Sequence, residues 1–277
     1  MIEIGKSARL IIVRGSDHGF YLDGENLGEL LLPDRYVPDG VEQGDELDVF
    51  VYPDSEDRLI ATTEKPLCEA DRFGVFQVVD VNPKVGAFLD WGLPKDLLMP
   101  YREQVLPVQL GQTVVARVVV DPVTNRMIAS RKLDRYLRDT FPTYREGAAV
   151  NLLVWRKTPL GFNVIVDGVH SGLLYHTDLA EPLRVGQATR GYVREIREGG
   201  RIDVGLQPDG YERVKPLTEQ ILAALDANDG TLELGDKSSP SAVREAFGTS
   251  KKAFKQALGA LYKKRRISIA PTSIERL

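Results

Sequence analysis

The chain has 277 residues, 43% hydrophobic and 27% charged, which is the balance of an ordinary soluble globular protein. No apolar run approaches the roughly 18 residues a membrane helix needs, and the N-terminus has no signal-peptide pattern. A single cysteine, Cys68, excludes an intramolecular disulfide and fits a reducing, cytoplasmic setting. The net charge of −4 is unevenly spread: residues 1–70 hold 6 Lys/Arg against 16 Asp/Glu, and residues 237–277 hold 10 against 2. A basic tail of this kind points toward polyanions.

The first predicted strands are Ala8 to Arg14, Phe20 to Leu22, Leu30 to Leu32, Leu47 to Tyr52 and Arg58 to Thr62. Turn residues separate them, and the fourth alternates with period two. The same order returns from Phe73 to Lys132, where Val114, Ala116, Val118 and Val120 share one face of a strand and Arg117 lies on the other. It returns again from Tyr144 to Leu206. The gap at 64–72 reads as a joint, and Leu133 to Phe141 reads as a short helical connector. Two landmark sets fix the repeat. Gly19, Gly86 and Gly161 are separated by 67 and 75 residues, and Gly44, Gly111 and Gly186 by the same two intervals. Three tandem copies of a five-strand module fit small closed Greek-key barrels, of which the OB fold is the commonest at this size.

The tail differs in kind. Leu217, Ile221, Leu222 and Leu225 recur at helical spacing, and Thr231 to Leu234 is a short strand. Ser239 with Pro240 caps and starts a second helix that ends at Gly248. Ser250 caps a third helix, whose apolar stripe is Phe254, Ala257, Leu258 and Leu261. A hairpin follows over 265–275. Helix, strand, helix, helix, hairpin is the order of a winged helix. The expected organisation is therefore mostly β: three tandem OB barrels at 1–66, 67–141 (with the helical connector) and 142–210, then an α+β winged-helix domain at 211–277.

Gly-Ala-Phe-Leu at 86–89, the Gly-Leu-Leu-Tyr-His-Thr-Asp-Leu run at 172–179 and the glycines that lead the fourth strands resemble the RNA-binding domain named from ribosomal protein S-one. With the tail motif Ser-Lys-Lys-Ala-Phe-Lys-Gln-Ala-Leu-Gly-Ala-Leu-Tyr-Lys at 250–263, nearly the whole chain resembles the CvfB (conserved virulence factor B) family. The resemblance implies a cytoplasmic bacterial RNA-binding protein connected with gene regulation.

OB barrels hold single strands on the face of strands two and three, with bases stacked on aromatics. If Ala87 and Leu89 face the core, Phe88 faces outward, and its equivalents are Tyr21 and Asn163. Phe20 and Phe162 then belong to the core. At the family's stacking histidine an ungapped match places Leu32, Met99 and Tyr175, and a shift of one places His176. Arg126, Arg131 and Lys132, near strand five of copy two, are candidate phosphate contacts. Copy two, with the closest motif, is the expected main single-strand site. In the tail, Lys252, Lys255, Gln256 and Lys263 lie opposite the apolar stripe, and Lys264, Arg265 and Arg266 continue into the hairpin as candidate nucleic-acid contacts.

Catalytic patterns are absent. Ser171 in Gly-Val-His-Ser-Gly is displaced by one from a nucleophile elbow, the three histidines lack metal-ligand spacing, and no phosphate-loop or dinucleotide glycine pattern occurs. No enzyme activity, cofactor or metal is expected. The leading reading is a regulator that holds single-stranded RNA, with duplex nucleic acid as a further partner of the winged helix and no membrane partner. A scaffold with a ribosome or protein partner, and a winged-helix DNA-binding regulator, remain the alternatives.

Overall fold

In the computed structural model, residues 1–122, 124–137, 141–179, 182–207 and 211–277 are described, the side chains of 177 and 211–216 excepted. The first five strands are β1 (Ser7–Ser16), β2 (Gly19–Asp23), β3 (Glu29–Pro33), β4 (Glu46–Pro53) and β5 (Leu59–Thr62). They close into a barrel of order β1-β2-β3-β5-β4, with β3 and β5 parallel. The second barrel has the same connectivity in β6 (Phe73–Asn82), β7 (Gly86–Asp90), β8 (Leu97–Pro100), β9 (Thr113–Val120) and β10 (Met127–Ser130). So does the third, in β11 (Ala149–Lys157), β12 (Gly161–Val166), β13 (His170–Tyr175), β14 (Ala188–Ile196) and β15 (Ile202–Gly205).

The landmark glycines have a steric cause. At the start of each second strand the backbone runs against the end of the third. A Cβ on Gly19, Gly86 or Gly161 would stand 2.1, 2.3 or 2.0 Å from the carbonyl oxygen of Leu32, Met99 or Leu174. No side chain fits there, so each copy needs a glycine at this point.

The first strand of each barrel carries a bulge, between Ile12 and Arg14, Val78 and Asp80, and Val154 and Arg156. Beyond it the outward side chains Arg14, Asp80 and Arg156 become the cross-strand neighbours of Tyr21, Phe88 and Asn163. A bulge re-aims one side chain without breaking the ladder, and here it sets the composition of the face described below.

Barrels one and two share one continuous core. Phe50 and Tyr52 alternate outward from barrel one, yet both are buried, because Trp91 of barrel two packs edge-on to them at 5.8 and 6.1 Å. Lys95 crosses the same seam and donates to the carbonyls of Pro53 and Asp54 at 3.1 and 2.5 Å. The segment read as a joint is pinned: Leu67 N–H donates to Trp91 O and Ala70 N–H to Gly5 O, both at 2.7 Å. A second cluster, Val115, Leu133, Leu137, Trp155 and Ile165, packs barrel two against strands of barrel three. The expected connector helix is only a 3-10 turn at Leu133–Arg135, and residues 138–140 lie outside the described residues.

By compactness the chain divides into two units, Met1–Thr140 with Asn151–Ala188, and Phe141–Val150 with Thr189–Leu277. The C-terminal domain consists of α1 (Tyr211–Ala227), β16 (Thr231–Leu232), α2 (Pro240–Phe247), α3 (Lys251–Lys263), β17 (Ile267–Ile269) and β18 (Ile274–Arg276), with sheet order β16-β18-β17. Ser239 and Ser250 accept from the N–H groups of Ala242 and Ala253, and Gly248 ends α2 in the left-handed region at φ 61°. These are ordinary helix caps. Leu217, Ile221 and Leu225 of α1 pack with Val243, Phe254, Ala257, Leu258, Leu261, Ile267 and Ile274. This is the winged-helix order expected from the apolar spacing.

Candidate nucleic-acid interface

Strand pairing turns the three barrels into three versions of one outward row. In barrel one the row across β1, β2 and β3 is Arg14, Tyr21, Leu31. In barrel two it is Asp80, Phe88, Leu98, and in barrel three Arg156, Asn163, Leu173. Tyr21, Phe88 and Asn163 are all half-buried, while Ala87 and Leu89 are fully buried, so the alternation places Phe88 outward as expected.

The same register corrects the match at the stacking-histidine position. Gly19, Gly86 and Gly161 pair with Pro33, Pro100 and Tyr175. Leu32 and Met99 therefore stand one residue out of step with Tyr175, and both are fully buried in the core. The structural equivalents of Tyr175 are two prolines. Tyr175 is half-buried at the end of β13. His176 follows it, exposed, with Nε2 3.1 Å from Thr158 O and its ring edge-on to the buried Phe162 at 5.2 Å.

In barrel one the Arg14 guanidinium lies 3.7 Å from the centroid of the Tyr21 ring. Glu29 holds it there, accepting from Nε at 3.0 Å and Nη2 at 2.6 Å. The surface a base would stack on is already covered by a cation from the same barrel. In barrel two Phe88 has Asp80 beside it, and Asp90 follows it on the same face of β7. The pairing of Leu89 with Leu97 brings Asp90 level with Asp96. Partial burial and the charges of Asp90 and Asp80 raise the pKa of Asp96 above the usual carboxylate value.

Two of the expected phosphate contacts, Arg126 and Arg131, make side-chain contacts within the protein. Arg126 is ion-paired with Asp57 across the seam between barrels one and two. Arg131 donates through Nη1 to the carbonyls of Gln104 and Leu106 at 3.4 and 3.3 Å, and burial lowers its pKa below the ordinary guanidinium value. Lys132 is half-buried and donates its backbone N–H to Ser130 Oγ. In barrel three Arg156 is exposed, with its guanidinium 4.4 Å from the Trp155 ring, and Lys157 is exposed at the end of the same strand. Neither was singled out in the sequence. The turn after the bulge is one residue longer in barrel two, so Arg14, Asp80 and Arg156 do not keep a constant offset from the landmark glycines.

On the winged helix, Lys252, Lys255, Gln256 and Lys263 are exposed on α3, opposite the buried stripe, and Lys264, Arg265 and Arg266 are exposed after it. Lys255 is paired with Asp236 at 2.8 Å. The first turn of α3 contains no acid and two lysines, Lys251 and Lys252, against the sense of the helix dipole. Gly259 faces open space.

A cleft of about 700 Å³ on barrel two is lined in part by Arg102 and Asp121, which are ion-paired at 2.5 Å. Among the described residues no group of three or more His, Cys, Asp and Glu is placed to hold a metal ion. Cys68 is buried, which pushes its thiol pKa up to about 11 and leaves it a poor nucleophile at neutral pH. Among the described residues no helix is long and apolar enough to cross a membrane.

Comparison with known proteins agrees with this architecture. Residues 4–64 match the S1 domain, and residues 219–275 match the CvfB-like winged helix domain. Both are nucleic-acid-binding module types. The chain is 32% identical over 274 residues to the uncharacterized protein YitL of Bacillus subtilis, covering 95% of this chain and 90% of YitL. It is 26% identical over 276 residues to conserved virulence factor B of Staphylococcus saprophyticus, covering 96% and 92%. A crystal structure described as a multidomain protein with nucleic acid binding domains, from Streptococcus pneumoniae, aligns with 99% of this chain at 25% identity and a TM-score of 0.42. With three S-one-type barrels, a winged helix and relatives matched along almost their whole length, the chain belongs to the conserved virulence factor B family.

Proposed function

We propose that this protein binds single-stranded RNA as a regulator of gene expression, with barrel three as its single-strand face and the basic side of α3 as a second polyanion contact. The observation that carries the reading is the Arg156–Asn163–Leu173 row, continued by Tyr175, with Lys157 and His176 exposed at the ends of the strands. It supplies cations for the backbone and a π face for a base, on the strands where OB barrels hold single strands. The S1 match supports RNA as the polymer. Tyr21 and Phe88 have lesser parts in this reading, because Arg14 covers the first and carboxylates surround the second. Arg126 and Arg131 are engaged within the fold, and Lys132 is left as a secondary phosphate contact.

The test is binding of a short oligouridylate to the full chain and to Arg156→Ala/Lys157→Ala, at several salt concentrations. Loss of two phosphate contacts should lower affinity about tenfold and reduce the salt slope by about 1.4, at roughly 0.7 per single-strand contact. An unchanged slope would remove barrel three from the path. A second reading, duplex binding through α3, is favoured by the exposed Lys252, Gln256 and Lys263. It predicts that Lys252→Ala/Lys263→Ala weakens duplex binding more than single-strand binding.

A further inference from the structure

The outward face of barrel two has the apolar surface of a stacking site and the wrong charge for a phosphate backbone. Phe88 and Leu98 are cross-strand neighbours on it and only half-buried. Val79 at the bulge, Val85 before β7 and Tyr101 after β8 are 38%, 46% and 44% exposed. Asp80 lies directly beside Phe88, and Asp90 and Asp96 are level with each other one step along the same face. Among the described residues no cation is ion-paired with any of the three. A nucleic-acid strand laid across this row would bring its phosphates against these carboxylates, and juxtaposed like charges exclude a partner.

We propose that the β6–β7–β8 face of barrel two is a docking surface for a cationic, arginine-rich protein segment. The occupant follows from charge complementarity. An aromatic face with carboxylates at its edge suits a guanidinium, which stacks on the ring while its N–H groups donate to the acids. The apolar neighbours accept the methylene stem that such a side chain carries. A bare metal ion would make no use of Phe88, Leu98 or Val79. Barrel one, fixed to barrel two through the shared core, carries 16 Asp/Glu against 6 Lys/Arg in residues 1–70, and its field draws a cationic segment toward this side of the chain. The same OB scaffold thus serves two partners: a polyanion on barrel three and a polycation on barrel two.

The experiment uses the full chain, a fluorescent peptide of alternating arginine and glycine, and a fluorescent oligouridylate of about ten nucleotides. Phe88→Ala should weaken peptide binding roughly three- to thirtyfold, the range of a cation–π contact from exposed to desolvated. Phe88→Leu, which keeps apolar area and removes the π face, should recover only part of it. Asp80→Asn should weaken the peptide, whereas Asp39→Asn, which removes a charge from an exposed turn of barrel one, should change it less than twofold. Oligouridylate affinity should stay within twofold in all four variants, and thermal melts establish that each is folded. Peptide binding indifferent to Phe88→Ala, or equally sensitive to Asp39→Asn and Asp80→Asn, would reduce the effect to bulk charge and overturn the proposal. So would loss of oligouridylate binding in Phe88→Ala, which would return this face to nucleic acid.

Discussion

In barrel two the row across β6, β7 and β8 is Asp80, Phe88, Leu98; in barrel three the corresponding row across β11, β12 and β13 is Arg156, Asn163, Leu173. The strand order is the same, the bulges fall at the same place relative to the second strand, and the glycines that let the second strand meet the third are sterically equivalent. Apart from a turn one residue longer in barrel two, the rows differ in their side chains. Barrel two has an aromatic at the outward position with an acid beside it, whereas barrel three has Asn163 at that position with an arginine beside it. A stacking residue in the right place therefore does not identify a nucleic-acid site. The charge of its cross-strand neighbour decides whether a phosphate can follow the base.

The largest expected effect separates the inside of this scaffold from its outside. Phe162 is 1% exposed, and Phe162→Ala should cost about 3–5 kcal/mol of unfolding free energy in urea titration. Phe88→Ala, at a half-buried site, should cost less than about 1.5 kcal/mol. Similar losses in the two variants would break the inside–outside comparison.

Exchanging the charges should exchange the behaviour. Asp80→Arg combined with Asp96→Asn gives barrel two the neighbour that barrel three has, without an acid at the place where Glu29 holds Arg14 over Tyr21 in barrel one. It should raise oligouridylate affinity by about five- to tenfold, near 1 kcal/mol, and steepen the salt dependence. Arg156→Asp should do the reverse in barrel three. If the combined variant gains nothing, the orientation of the row, and not its charge, controls binding.

A smaller effect is expected on α3. Gly259 sits inside a helix, and a Cβ there meets nothing within 4 Å. Gly259→Ala should therefore stabilise the winged helix by about 0.5–1 kcal/mol in thermal melts. If the open position exists for close approach of a polymer backbone, the same variant should bind nucleic acid more weakly while melting higher. A gain in both quantities would leave the glycine without a binding role.

The smallest effect concerns Asp96, whose pKa is raised in the folded state. A carboxyl of this kind costs stability when ionised, so the penalty is fully present at neutral pH and is relieved as pH falls through its folded pKa. Asp96→Asn should stabilise the protein by roughly 0.2–1 kcal/mol at pH 7, the scale of like charges opposed across strands. The difference should vanish once both states protonate the carboxyl. A destabilising Asn at pH 7 would show that the acid is satisfied by a contact of its own.

The parts of the fold set by local rules were legible in the sequence. The barrels are recoverable because the glycines at 19, 86 and 161 are required by backbone contact, and the helices because Ser239, Ser250 and Gly248 cap them. The outward position of Phe88 followed from period two alone. The cross-strand partners did not follow, because a bulge and a turn one residue longer hide the equivalence of Arg14, Asp80 and Arg156. Arg126 reads in one dimension as a free cation near a strand end, while its partner Asp57 is 69 residues away in the preceding barrel. The ungapped match at Leu32 and Met99 failed for the same reason: register belongs to pairs of strands, and one strand read alone cannot set it.

The seam between barrels one and two bears on how this repeat can be taken apart. Phe50, Tyr52 and Trp91 share a single buried cluster, Gly5 leaves no room for a Cβ beside Ala70 and Met127, and Lys95 and Arg126 reach back across the boundary. A fragment ending near residue 66 would expose two large aromatics that its own five strands cannot cover. The two modules are separate barrels in strand pairing and one unit of cooperativity. Denaturation of the N-terminal region should give one transition with the m-value of a body of about 130 residues, instead of two transitions of half that size.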